Sequence, residues 1–436
     1  MLKVFKGNLG SGMRRDVVWT FSIQILIMLC SFAINKLLAS RLSVDDFGQY
    51  NVIKRSVQVL SFLMLAGVGI ALPRYIPLYR NGNPPRKITP LLSASLIYII
   101  GISLIVFLVC MLFSTQMQDI VIGQNGNGCL LLIALGYAFT LAMAQFVFAY
   151  YRGTGNFKWY NGTQLAVQLA IVVPLVLLPV LTVKTVFVSW LVITALLVAL
   201  CLVKEGRGRW GEVSDGTPHF TRQSSLYDSL KTIVRYSSGR LVADFFLFSL
   251  SAFPLIYISQ AMGLQATAYY AVGITFVTMV TPVFSFIGII LLPYVSACIA
   301  KGEMQRADKV ITRLLLLYLG AALLITVVLY IFTDFMTALL FARNYVAAGD
   351  LTRIMILAIL PQALYLLYRN PIDAVAVVPY NTVILGISLA AMVGSFVWAS
   401  TLTQYAWAYL TVSILQGLLS WLTWQIIQKR SIPRRP

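Results

Sequence analysis

Charge is what this sequence has least of. Only 11% of its 436 residues are Asp, Glu, Lys or Arg, where soluble domains carry about 25%. Carboxylates are the scarcer sign, 14 Asp+Glu against 33 Lys+Arg. There is one histidine, His219, and the five cysteines (Cys30, Cys110, Cys129, Cys201, Cys298) are scattered through apolar runs without a C-x-x-C. That disfavours a metal site and reads the thiols as buried and inert, so neither metal nor cofactor is expected. No D-x-D and no His/carboxylate cluster occurs, and the longest outer connection is about 20 residues near Thr333 to Thr352. Acid/base or metal-assisted catalysis has nowhere to sit, so an enzyme is not expected.

What the sequence does have is hydrophobicity: 59% apolar residues and a mean hydropathy of +0.84. Few surface-forming residues remain, which disfavours a water-soluble globule, a nucleic-acid binder and a disordered chain together. A membrane-spanning helix uses about 20 apolar residues. Runs bounded by charge, Gly and Pro predict about twelve spans, near 17–40, 52–76, 91–113, 129–151, 163–181, 185–203, 236–260, 267–297, 310–332, 352–369, 380–400 and 405–428. The stretches are continuous rather than alternating, which sets aside a β-barrel. The first run, Val17 to about Leu42, is too long for a signal peptide and is expected to stay as a helix. The fold class expected is an all-α integral membrane protein.

The basic residues test this layout. Assigned to alternate faces, 25 Lys/Arg fall on the side of the termini and the even-numbered connections, and 3 (Arg41, Lys184, Arg343) on the other. That asymmetry predicts an even number of spans with both termini cytoplasmic. Most of the +19 net charge is therefore topology, and no nucleic-acid partner is implied.

The longest polar connection, Lys204 to Arg235, divides the spans six and six. The expected organisation is an N-terminal lobe over 1–206, a cytoplasmic linker over 207–234 and a C-terminal lobe over 235–436. A gapless offset of 220 residues places Arg15 on Arg235, Tyr50 on Tyr270, Val52 on Val272, Ile70-x-Leu72-Pro73 on Ile290-x-Leu292-Pro293 and Gly82 on Gly302. Six spans per half give both halves one orientation, related by a pseudo-two-fold along the membrane normal. Two such lobes with a path between them are a transporter's organisation.

Ionisable groups within spans are costly and usually face a cavity or a partner. Five bases lie there, Lys36, Lys54, Arg55, Arg240 and Arg353, against one clear carboxylate, Asp244. In the second span Asn51, Lys54, Gln58 and Ser61 share a helical face, with Arg55 one step around; in the seventh, Ser237, Arg240, Asp244 and Ser251 do so. Thr20, Gln24, Ser31 and Asn35 form a polar stripe on the first. Lys36, off that stripe and near the helix end, either lines the path or snorkels to the interface. Arg240 and Asp244 have two readings: a mutually neutralised structural pair, or a phosphate-holding Arg beside an Asp that couples a proton or sodium ion to movement. The sequon Asn161-Gly162-Thr163 lies on the expected cytoplasmic side and reads as accidental.

Several segments resemble one family. The first helix runs to Arg41-Leu42 and is followed by Asp46-Phe47-Gly48-x-Tyr50, then Gly67-x-Gly69-Ile70-Ala71-Leu72-Pro73-Arg74-Tyr75. Tyr151-Arg152-Gly153-Thr154-Gly155-Asn156-Phe157 follows as a fourth connection. Tyr270, Pro282, Leu292-Pro293, Ser296 and Gly302 open the second lobe. These segments resemble bacterial polysaccharide (O-antigen and exopolysaccharide) flippases, of the superfamily shared with multidrug-and-toxin extrusion (MATE) proteins and lipid II flippases. The two extra helices typical of lipid II flippases are missing. The resemblance implies a MATE-like fold of two pseudo-symmetric six-helix lobes in the bacterial inner membrane. It implies alternating access that carries an undecaprenyl-pyrophosphate-linked O-antigen, capsule or exopolysaccharide repeat unit from the cytoplasmic to the periplasmic leaflet. Its partners would be that lipid-linked oligosaccharide, the bilayer, a proton or sodium ion and other polysaccharide assembly proteins.

For such cargo the intramembrane polar residues acquire roles. Lys54, Arg55, Arg240 and Lys36 are candidates for the pyrophosphate, Arg as a fork and Lys as a point charge. Asn35, Gln58, Gln145 and Tyr151, with Tyr150, Gln362 and Tyr365, are candidates for sugar hydroxyls and faces. Asp244 is the candidate for ion coupling. The competing expectation is a cation-coupled multidrug exporter of the same superfamily, which would want carboxylates where this chain has bases.

Overall fold

The computed structural model describes residues 11–81, 87–123, 128–208, 225–300, 304–375 and 379–431. Among them every regular element is helical. The chain forms two compact units, one of residues 1–42 and 56–245, the other of 43–55 and 246–436. The cut differs from the expected lobes: residues 43–55, at the start of the second span, group with the second unit, and 235–245 with the first.

The first ten helices are α1 (Ser11–Arg41), α2 (Val44–Leu65), α3 (Val68–Asn81), α4 (Thr89–Leu112), α5 (Ser114–Ile122), α6 (Gly128–Gly153), α7 (Phe157–Ala170), α8 (Val173–Leu177), α9 (Val183–Gly208) and α10 (Leu226–Ala261). Helix α2 begins eight residues before the expected 52 because its start is capped. The Ser43 hydroxyl accepts the Asp46 N–H at 3.1 Å and donates to the Asp46 carboxylate at 2.8 Å. Asp45 and Asp46 then face the positive end of the helix dipole. Asn156 likewise caps α7, accepting the Trp159 N–H, so the fifth span starts at Phe157 rather than 163. Helix α10 reaches back into the expected linker as far as Leu226; His219 lies outside the described residues.

Two spans of the first unit are broken. Between α2 and α3 the chain turns through Ala66 (φ 49°) and Gly67 (φ 78°), where a Cβ on Gly67 would also stand 2.9 Å from the Ser237 side chain. The Arg152 guanidinium donates to the Gly69 carbonyl at 2.6 Å. A Cβ on Gly153 would crowd the Leu72 carbonyl at 3.0 Å. The glycine-rich and Tyr-Arg-Gly segments noted in the sequence thus form one joint. Pro73 neither ends nor starts a helix, but sits with Pro77 inside α3. Helix α8 follows α7 after a second break. Arg41 closes the far end of α8, donating to the carbonyls of Leu175 (2.6 Å), Leu178 (2.8 Å) and Pro179 (2.9 Å). A cation there satisfies terminal carbonyls and the negative dipole end at once.

The remaining helices are α11 (Leu264–Ala300), α12 (Met304–Ile331), α13 (Thr333–Leu340), α14 (Gly349–Ile356), α15 (Ile359–Val375), α16 (Tyr380–Trp398) and α17 (Leu402–Ser431), with a 3-10 turn at Arg343–Ala348 before α14. Helix α11 starts 220 residues after α2, at the offset of the sequence repeat. In the second unit Gly48 packs on the first turn of α11, where a Cβ would run into the Leu264 carbonyl and stand 3.3 Å from the Ala268 nitrogen. Ala268 is the repeat equivalent of Gly48, so repeat-related positions cross here, and small residues let the backbones close. Phe47 beside it packs edge-on against Phe341 and Tyr345, at 6.2 and 5.2 Å between ring centres.

Among the described residues eleven helical spans are long and apolar enough to cross a membrane. A twelfth, Arg343–Ile356 with Ile359–Val375, is bent by 45° at its break. With that bent pair counted as one span, the twelve expected spans each have a counterpart in the structure.

Candidate functional site

Lys54 and Arg55 stand on the part of α2 that belongs to the second unit. Both are half-buried. Tyr50, one turn earlier and fully buried, places its ring under the Lys54 ammonium at 5.4 Å. Arg55 acts electrostatically on the hydroxyls of Tyr50 and Tyr409, and on Lys54 beside it. Tyr409 projects from α17 and accepts a 2.8 Å hydrogen bond from the Gln362 amide of α15. Gln362 lies just past the break between α14 and α15, on the same turn as Pro361. The Pro361 carbonyl packs directly on Gly417 of α17, where a Cβ would stand 2.6 Å away. The broken span thereby holds Gln362 and Tyr409 in fixed register. Tyr365, the next sugar candidate, is buried on the following turn.

This assembly gathers two cations, two phenols and an amide within the span region of one unit. A like-charged pair at membrane depth is unfavourable alone. The tyrosines offer a π face and hydroxyl oxygens to those cations, which lowers that cost. The arrangement suits a ligand carrying concentrated negative charge.

The other sequence candidates fall in the first unit. Asn35 is buried and Lys36 half-buried near the end of α1; Gln58 is half-buried and Gln145 exposed on α6. Tyr151 is 1% exposed, and its hydroxyl donates to Glu205 at 3.1 Å, as does that of Tyr150 at 3.2 Å. The pair braces α6 against α9 rather than presenting a face to sugar. Asp244 is half-buried, and the Arg240 side chain lies outside the described residues. In the second unit Arg353, counted among the intramembrane bases, is paired with Asp334 (2.6 Å) and Asp350 (2.7 Å).

The stripe on α1 also has partners. Asn161 of α7 donates to Thr20 (2.8 Å), Gln24 to Gln164 (2.9 Å) and Gln168 to Ser31 (3.1 Å). Three of its four residues form a hydrogen-bonded seam between helices. Asn161 of the sequon is fully buried in that seam. Sequence reasoning missed Asn161, Gln164 and Gln168, although their helical spacing marks a single polar face. It also missed Tyr409, which only the packing of α15 on α17 brings to Arg55.

The fold is that of transporters of the MOP superfamily. It superposes over 95% of this chain on an inward-facing multidrug resistance MATE family transporter, covering 98% of that chain at 11% identity with a TM-score of 0.72. A MOP superfamily transporter from Pyrococcus furiosus, described by a binding pocket of reverse polarity that suggests a different function, matches over 95% of this chain and 94% of its own, at 12% identity and TM-score 0.62. The Vibrio cholerae MATE transporter VcmN in its bent form matches over 95% and 96%, at 15% identity and TM-score 0.58. Comparison with curated proteins gives no sequence match. Residues 13–299, well over half of the chain, match the polysaccharide biosynthesis protein family, and the chain belongs to that family. It is a multi-pass integral membrane protein with the fold of these transporters.

Proposed function

We propose that this protein is a flippase for a lipid-pyrophosphate-linked oligosaccharide, moving an O-antigen, capsule or exopolysaccharide unit from the cytoplasmic to the periplasmic leaflet of a bacterial inner membrane. The single observation that carries the reading is the Lys54–Arg55 pair set among Tyr50, Tyr409 and Gln362. A pyrophosphate cannot cross hydrocarbon without such partners. Outward movement of an anion also runs with an inside-negative potential, worth about 2.3 kcal/mol per charge per 100 mV. Ion coupling through Asp244 is compatible with the reading and not required by it. The division into lobes at 1–206 and 235–436, with both termini cytoplasmic, completes the alternating-access scheme.

Family membership supports polysaccharide biosynthesis as the setting, and the bases favour an anion over the cations of a drug exporter. The test is reconstitution of the full chain in vesicles containing lipid-pyrophosphate-oligosaccharide, scored by accessibility to an external sugar-binding probe. Flipping is expected above empty vesicles. Replacing Lys54 or Arg55 by Gln should slow it about tenfold or more, the scale of one lost charge-assisted hydrogen bond. Transport of a cationic dye with no flipping would reverse the assignment.

A further inference from the structure

Around Lys54 and Arg55 the groups whose hydrogen-bonding sense is open are the two phenols, Tyr50 and Tyr409. Lys and Arg side chains only donate, whereas a phenol hydroxyl donates or accepts. For Tyr409 the choice is made by Gln362, whose amide N–H donates to the Tyr409 oxygen at 2.8 Å. Arg55 brings its positive charge to the same hydroxyl. With a hydrogen-bond donor on that oxygen and a cation acting on it electrostatically, the Tyr409 proton is directed away from both.

We propose that Tyr409, oriented by Gln362, is a third donor of the Lys54–Arg55 site, and that Gln362 is the positioning residue that turns the Lys54–Arg55–Tyr409 trio into donors and so favours phosphate over hydroxyl-bearing or cationic ligands. This rests on the phosphate reading above and deepens it. A ligand with donors of its own, such as a sugar hydroxyl or an ammonium, finds no acceptor in that trio. A phosphate oxygen, which only accepts when ionised, satisfies all three. The placement of Gln362 on the turn after the α14–α15 break, packed through Pro361 on Gly417 of α17, keeps its amide on Tyr409.

The experiment uses the full chain in lipid nanodiscs and farnesyl pyrophosphate as probe, with tetraphenylphosphonium as the cationic control. Wild type, Lys54→Gln, Arg55→Gln, Tyr409→Phe, Gln362→Met and Gln362→Glu are compared by equilibrium binding across pH. Tyr409→Phe should weaken the probe about tenfold or more, the scale of one hydrogen bond to a charged group, and Gln362→Met, which keeps the hydroxyl but not its orientation, several-fold. Gln362→Glu should weaken it about tenfold or more, because an ionised carboxylate accepts the Tyr409 proton and competes for Arg55. On acidification the ratio of Gln362→Glu to wild type should recover, since a protonated carboxyl donates as the amide does. A merely structural role for Gln362 predicts equal losses for Met and Glu at every pH, and that result overturns this inference. Full binding by both Lys54→Gln and Arg55→Gln would instead remove the phosphate site itself, a separate outcome.

Discussion

The seam between α1 and α7 invites a double-mutant cycle, because lipid changes what holds helices together. Hydrocarbon is as apolar as Leu, so burying apolar side chains drives helix association little in a bilayer. Helix α1 leaves Trp19, Phe21, Ile25, Leu26 and Leu29 exposed, a face suited to lipid. Its attachment to α7 then depends on packing and on the three hydrogen bonds at Thr20, Gln24 and Ser31. At about 100° per residue those three lie within about 40° of one another on α1, and Asn161, Gln164 and Gln168 within about 60° on α7. Interhelical hydrogen bonds in membranes average about 0.6 kcal/mol, with a maximum near 1.7, so the seam contributes about 2 kcal/mol in all. The cycle compares Gln24→Leu, Gln164→Leu and the double variant by reversible unfolding in mixed micelles. Each single change should cost about 1 kcal/mol by stranding its partner. The double should cost less than the sum, with a coupling of about 0.6 kcal/mol. Flipping by the folded double variant should stay near wild type. Zero coupling together with lost flipping would refute the reasoning and return the α1 stripe to the substrate path.

Three further outcomes follow from single contacts. Gly48→Val should destabilise the chain by about 1–3 kcal/mol, the usual cost of overpacking, read as a lower thermal midpoint; an unchanged midpoint would deny the close crossing on Leu264. Arg353→Gln should change stability by less than about 1 kcal/mol, because Asp334 and Asp350 are largely exposed, and should leave flipping intact, in contrast to Arg55→Gln. Arg152→Gln removes the guanidinium from the Gly69 carbonyl and should cost about 1–2 kcal/mol, visible as faster proteolysis near the α2–α3 joint; equal cleavage rates would count against the clasp.

How much of this was legible in the sequence depends on the range of the interaction. Spans are local: about 20 apolar residues announce themselves, and all twelve were placed. Their ends were less legible. Reading apolar runs starts the second span at 52, whereas the Ser43–Asp46 cap starts it at Val44, because a cap uses polar residues that hydropathy assigns to a loop. Polarity within spans was legible as a stripe, but its purpose was not. Thr20, Gln24 and Ser31 carry the same signature whether they face water or Asn161, Gln164 and Gln168. Likewise Arg353 looks like an intramembrane base until tertiary structure brings Asp334 to it across a 3-10 turn. Lys54 and Arg55 were picked out by charge alone, while Tyr409 required knowing that α17 packs on α15.

The repeat sharpens what the charged pair means. Advancing 220 residues from Gly48, Tyr50, Lys54 and Arg55 reaches Ala268, Tyr270, Ile274 and Thr275. The packing positions are kept: a small residue at the crossing and a fully buried Tyr two residues on. The cations are not. Ile274 is 1% exposed, and the Thr275 hydroxyl is turned back onto the Ala271 carbonyl at 2.7 Å. A scaffold need shared by both repeats therefore explains Tyr50 and Gly48 but cannot explain Lys54 and Arg55, whose burial costs about 2.5–3.5 kcal/mol per charge at membrane depth. The transplant Lys54→Gln with Ile274→Lys tests this. If the charge serves a one-sided ligand site, the transplant should fold less stably than Lys54→Gln alone, by about 2–3 kcal/mol, and should leave flipping as slow. Restored flipping would mean that position along the path is irrelevant and only net charge counts, and the assignment of the phosphate to Lys54 and Arg55 would fall with it.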